Sequence, residues 1–174
     1  MALHLQEAAL DREPVLHEQA SFLALGLLCA ATPGAKVQLS TWKQDRRGVD
    51  LFLYHPSGRR LSLDLTEGHR RTRARKFRRV ARARKAGRPT SWIVALLREQ
   101  VIAAAADPCF AQAWRRLAAG GRVSFSPESI CPEHGAACPL VEKLVELGIS
   151  MVIRLRRDYR EMFGDLSELR ARFK

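Results

Sequence analysis

The sequence predicts an α/β fold, a mixed central sheet flanked by helices on both faces with a C-terminal α/β extension. Three observations carry this. Gly48 to Thr66 holds two short apolar runs, Asp50–His55 and Leu61–Leu65, around Pro56-Ser57-Gly58, so it reads as a β-hairpin. Helical patterns stand on either side of the strand region, over Pro14–Ala31 and His69–Ala86. Ser91–Leu97 is a continuous apolar run of strand length, as in a sheet interior. The order helix, three strands, helix, strand then gives a mixed sheet.

Met1–Arg12 carries little signal, and residues 1–13 are set apart as an N-terminal segment. Pro14 suits the first turn of a helix, which Thr32-Pro33-Gly34 ends. Its stripe Val15, Glu18, Phe22, Leu25 and Cys29 includes one carboxylate. Glu18 either favours the helix dipole from an exposed first turn or looks into a site shared with the hairpin. Lys36–Lys43 alternates with period two and predicts a strand. In the hairpin, Leu61, Leu63 and Leu65 alternate with Ser62, Asp64 and Thr66, giving one apolar and one polar face. The helix from His69 stops at Gly87 and Arg88-Pro89, and its stripe Ala74, Phe77, Val80/Ala81 is enough to lie on a sheet. Beyond the 14–97 core, residues 98–174 form the extension. Arg98–Ala106 and Pro108–Ala119 predict helices, the second capped by Asp107 and ended by Gly120-Gly121. Arg122–Ser126 predicts a strand, Leu140–Leu147 a short helix, Ile149–Leu155 another strand and Asp158–Phe173 mostly helix.

The chain has 174 residues, 47% of them apolar, enough for a real core. Its longest apolar stretch, Ala20–Ala31, is too short to span a bilayer, and the sequence shows no export signal. Four irregularly spaced cysteines fit a reducing cytoplasm better than a disulfide framework. Of a net charge of +12, the eleven Arg and Lys between Arg70 and Arg88, where no acid falls, leave only +1 for the rest. One element therefore carries the basicity. Solvated charged faces usually mix signs, and this one does not, which points to a docking polyanion. Arg70, Arg71, Arg73, Arg75, Lys76, Arg78, Arg79 and Arg82 are its candidate nucleic-acid contacts, and the basic run alone would suit DNA or RNA; DNA is preferred over RNA only through the resemblance given below. A membrane surface fits less well, because Phe77 and Val80 are nearly the helix's only large apolar residues. A second copy or a protein partner stays open.

Folding the hairpin about Ser57 and Gly58 brings Asp50 opposite Asp64 or within one residue of it. Like charges so placed repel unless a cation lies between them or one takes a proton. With an acid on the first helix, G-V-D before the second strand and D-L-T ending the third, this order resembles the PD-(D/E)XK superfamily of restriction-endonuclease-like nucleases, in its Holliday-junction-resolvase branch. The resemblance covers Pro14–Leu97 and implies an αβββαβ core and metal-dependent hydrolysis of DNA phosphodiesters. By position Asp50 and Asp64 match the two motif acids, and Glu18 the first-helix glutamate of that branch. Asp50, Asp64, the Leu65 carbonyl and Glu18 would hold Mg²⁺ or Mn²⁺, hard cations suited to oxygen ligands. Thr66 stands where the family has its lysine and offers only a hydroxyl. Either the lysine has migrated, with Lys76 or Lys43 in its role, or the site is degenerate and the fold binds DNA or RNA without cutting it.

Cys109, Cys131, His134 and Cys138 form a second constellation able to ligate zinc. No clean pair of C-x-x-C motifs is present, and the reading favoured without one is Cys109 as core and Cys138 as a helix start. Cys29 reads as packing. His55 and His69 flank the expected acidic site.

Overall fold

The computed structural model describes residues 13–118 and 124–174. The N-terminal segment up to Arg12, Gly120-Gly121 and the start of the expected strand at Arg122 lie outside these residues. Ser124–Ser126 carries no strand.

The described chain is a mixed α/β fold built on four strands in the order β1-β2-β3-β4. Helix α1 (Leu16–Ala30) leads to β1 (Lys36–Leu39), the short α2 (Trp42–Asp45), then β2 (Leu51–Tyr54) and β3 (Arg60–Thr66). Helix α3 (Arg70–Lys85) follows and returns the chain to β4 (Trp92–Ala95), parallel to β3, whereas β1–β2 and β2–β3 are antiparallel. The expected strand over Lys36–Lys43 stops at Leu39 because Thr41-x-x-Gln44 begins a helical turn. There the Thr41 amide donates to Gln44 Oε1 at 2.8 Å.

Period two sorts the sheet's faces. Leu51 and Leu53 pair with Leu63 and Leu61, and with Leu65 all are buried in the apolar cluster that contains α1. Phe52 pairs with Ser62 on the opposite face, under the Arg60 guanidinium at 4.4 Å. Helix α1 is buried continuously from Ala20 to Cys29, as expected of a helix enclosed on more than one side.

The second side is covered by α7 (Pro139–Val152), and here the sequence-based expectation is corrected. Ile149–Leu155 is not a strand: its first half continues α7 and the rest turns. Ile149, Met151, Ile153 and Leu155 mimic strand alternation, but Leu140, Leu144, Leu147, Gly148 and Met151 extend a helical stripe from the Pro139 start. Gly148 explains the choice. A Cβ there would meet Leu28 Cδ1 at 2.8 Å and the Ala24 carbonyl at 3.1 Å, so the two helices touch almost backbone to backbone.

The remaining elements are α4 (Arg98–Ala105), α5 (Phe110–Ala118), α6 (Pro127–Ile130), α8 (Arg157–Glu161) and α9 (Leu166–Ala171). The described part of the extension is thus helical rather than α/β. One apolar cluster runs through core and extension alike.

Candidate functional site

Where β2 begins, three chain segments bring acids to the end of the sheet. The ladder's last β2–β3 pair is Leu51 with Leu63, which leaves Asp50 and Asp64 at the next position. Asp50 is fixed against β3 from two directions: its amide donates to the Leu63 carbonyl at 2.8 Å, and its Oδ2 accepts from the Leu65 amide at 2.5 Å. From α1, Glu18 is buried at 4% exposure, which decides against the exposed first-turn reading. One ligand atom each from His17, Glu18 and Asp50 lies within 4.8 Å of the others.

The electrostatics of this corner are strained. Burial pushes the Asp50 carboxyl up to about 7, and the neighbouring Asp64 and Glu18 charges raise it too, against the Leu65 amide and Lys76, which lower it. Near neutral pH that group is poised between its acid and its carboxylate.

Asp64 is 1% exposed and has two cations of its own. Lys76 Nζ donates to Asp64 Oδ1 and also to the Leu65 carbonyl, while Arg79 Nη2 donates to Asp64 Oδ2. Lys76 and Arg79 are three apart on α3 and share one of its faces. The Arg79 guanidinium passes directly over Gly48, whose φ of 79° and missing side chain leave room for it. Of the two lysines considered from the sequence, Lys76 reaches the acids; Lys43 sits exposed on α2. Thr66 is buried, and its Oγ1 accepts from the Gly68 amide at 3.4 Å.

Helix α3 departs from expectation in how it is held. None of its residues is buried, and Phe77, expected against the sheet, is 53% exposed. A groove of about 510 Å³ separates Phe77, Val80 and Ala81 from Trp92, Ile93 and Ala95 of β4. The helix is tied to the sheet through Lys76 and Arg79 on Asp64 rather than through its apolar stripe. Arg70, Arg71, Arg73, Arg75, Arg78 and Arg82 have no carboxylate partner among the described residues. Arg75, Arg78, Arg79 and Arg82 line one shallow groove of about 490 Å³ with Arg88.

His69 precedes α3 as its N-cap. His55 does not flank the acids: it lies at the hairpin turn, 2.8 Å from Ser57 Oγ and edge-on to Tyr159. The sequence did not single out His17, and it named Arg79 as a nucleic-acid contact rather than as a partner of the acids. His17 adjoins Glu18 in sequence, and Arg79 follows Lys76 by one helical turn, so both were reachable once those neighbours were placed. Away from this corner, Cys109, Cys131 and Cys138 come together, and His134 touches Cys131. Cys29 is packed in the core. Among the described residues no helix is long and apolar enough to cross a membrane.

No protein-family model, curated protein or solved structure matches the chain.

Proposed function

We propose that the chain is a metal-dependent endonuclease with a restriction-endonuclease-like core, hydrolysing phosphodiester bonds of DNA docked along α3. The observation that carries this is the approach of Glu18 from α1 and Asp64 from β3 to Asp50, with Lys76 Nζ on both Asp64 and the Leu65 carbonyl.

The donor set fits a hard divalent cation. The ligand atoms that lie within 4.8 Å of one another are those of Glu18 and Asp50, which offer carboxylate oxygens, and of His17, which adds a nitrogen that Mn²⁺ accepts. Asp50, Asp64 and the Leu65 carbonyl would hold Mg²⁺ or Mn²⁺, with Glu18 alongside. When bound, such an ion lowers the pKa of water and stabilises charge on a scissile phosphate. The protein's own groups do the rest. Asp50 gives up its remaining proton to become a full carboxylate. The Leu65 amide holds that carboxylate in place from β3. Lys76 supplies, from α3, the ammonium that Thr66 lacks, and can turn from Asp64 toward a phosphate oxygen. The arginines of α3 that face no carboxylate bind backbone phosphates without reading sequence, so affinity should fall steeply with salt.

A second reading has its own support: Lys76 and Arg79 already neutralise Asp64, which is what a fold kept for binding DNA or RNA without cleavage would need. Plasmid nicking with Mg²⁺ and Mn²⁺ separates the two. Nicking by the wild type that is lost in Asp50→Asn and Asp64→Asn supports the endonuclease. Salt-sensitive binding with no cleavage of duplex, branched or single-stranded DNA supports the second reading.

A further inference from the structure

We infer that Cys109, Cys131, His134 and Cys138 bind a structural Zn²⁺ that ties together the helical half of the molecule. This is independent of the cleavage proposal, since the cluster lies outside the acidic corner.

The three cysteines come from different segments. Cys109 immediately precedes α5, Cys131 ends α6, and Cys138 is the N-cap of α7. One sulfur from each lies within 4.8 Å of the other two. Around a tetrahedral Zn²⁺ with bonds of about 2.3 Å, two sulfurs sit about 3.8 Å apart. Cys109 Sγ and Cys131 Sγ are 3.7 Å apart. A sulfur and a nitrogen ligand of one zinc sit about 3.5 Å apart. His134 Nδ1 is 3.4 Å from Cys131 Sγ. His134 is not among the ligand atoms that lie within 4.8 Å of one another; its exposed imidazole would turn in as the fourth ligand from the tight turn Cys131-x-x-His134, closed by the Gly135 amide donating to the Cys131 carbonyl at 2.8 Å.

Cys131 and Cys138 also belong to the apolar cluster, with Cys109 packed against it. Cys131 and Cys138 are buried, yet most of the loop between them, Pro132–Ala137, is exposed and contributes nothing to the apolar cluster. A bound metal would staple that loop to the core, and all four cysteines of the chain are free thiols. Cys109 Sγ and Cys131 Sγ, 3.7 Å apart, are not bonded to each other, since a disulfide's sulfurs lie about 2.05 Å apart. Soft thiolates with one imidazole select zinc over the hard cations suited to the acidic corner. The site would hold the start of α7, and through it the helix packed on α1.

The test is metal analysis of the full-length purified chain, followed by replacement of the metal with Co²⁺. The expected result is one zinc per chain, and a thiolate-to-cobalt charge-transfer band with the visible spectrum of a tetrahedral site. Cys29→Ala, in the core away from the cluster, should keep the zinc. His134→Ala, at an exposed position, should fold and lose zinc to a chelator at least about tenfold faster. Wild-type protein with four titratable thiols and neither zinc nor a cobalt band would overturn the proposal. So would a Cys109–Cys131 disulfide in protein purified without oxidant. Should Cys131→Ser fail to fold, the wild-type stoichiometry and cobalt spectrum still decide.

Discussion

Helices α1 and α3 cover opposite faces of one sheet, and they are held to it by opposite physics. Helix α1 is enclosed by leucines of β2 and β3 on one side and by α7 on the other, and its residues from Ala20 to Cys29 are buried. Helix α3 buries none of its residues and is moored by Lys76 and Arg79 to a single buried carboxylate. The first arrangement gains stability in proportion to apolar area removed from water. The second gives less net stability, because Arg79 loses much of its attraction to solvent screening and the pairing of Lys76 with buried Asp64 is offset by the cost of desolvating the charges. A helix so lightly packed keeps its charges available, and a mooring through Asp64 links its position to the acids.

The contrast can be broken most decisively by truncation. Leu28→Ala in α1, at a fully buried position, should cost about 2–5 kcal/mol in urea unfolding, whereas Phe77→Ala in α3 should cost less than about 0.5 kcal/mol. Equal costs would mean that α3 belongs to the core after all.

Acid titration probes the corner between the two helices. The Asp50 carboxyl is held above its ordinary value of 3.8, at about 7, so the folded state binds its proton more tightly than the unfolded chain does. That contribution is fully present below about pH 4 and is lost as pH rises through about 7. Asp50→Asn should therefore raise stability at pH 8 in EDTA, by on the order of 2–4 kcal/mol, and flatten the slope between pH 4 and 7. An unchanged slope would show that the Asp50 carboxyl keeps its ordinary value in solution.

Smaller effects test the mooring. Gly48→Ala forces a side chain into a φ of 79° and against the Arg79 guanidinium, and should cost about 1–2 kcal/mol. Asp64→Asn should speed amide exchange along α3 while leaving α1 protected, because only α3 depends on that carboxylate. Uniform loosening of both would contradict the comparison. The smallest change in stability, near zero, is expected when Arg71, Arg75, Arg78 and Arg82 become Gln. Under the endonuclease proposal the same variant flattens the salt dependence of DNA binding by about 0.9 in log–log slope for each phosphate it no longer neutralises.

What could be read from the sequence divides along the same line. Period two in Leu61–Thr66 fixed which residues face the core, and the turn at Ser57-Gly58 set the register that brings Asp50 to Asp64. These are local signals. Glu18 stood out because a carboxylate interrupted an apolar stripe, but the stripe left an exposed first turn and a site-facing acid equally open, and only the packing of the fold buries it. The strand reading of Ile149–Leu155 failed because a short apolar run is ambiguous between the two periods. Only the close approach of Gly148 to α1, a tertiary fact, selects the helix. Likewise the apolar stripe of α3 was visible, but not that ion pairs on Asp64 would hold the helix while Phe77 stays exposed. The convergence of Cys109 with Cys131 and Cys138 depends on how α5, α6 and α7 pack, which no spacing in the chain encodes.

Titration of the chain with Mn²⁺ at pH 8, followed by electron paramagnetic resonance, puts the acidic corner to its most direct trial. With the cysteine cluster preloaded with zinc, one Mn²⁺ should bind per wild-type chain and none to Asp50→Asn or Asp64→Asn. Equal binding by all three proteins, or none by the wild type, would contradict a divalent cation held between β2 and β3.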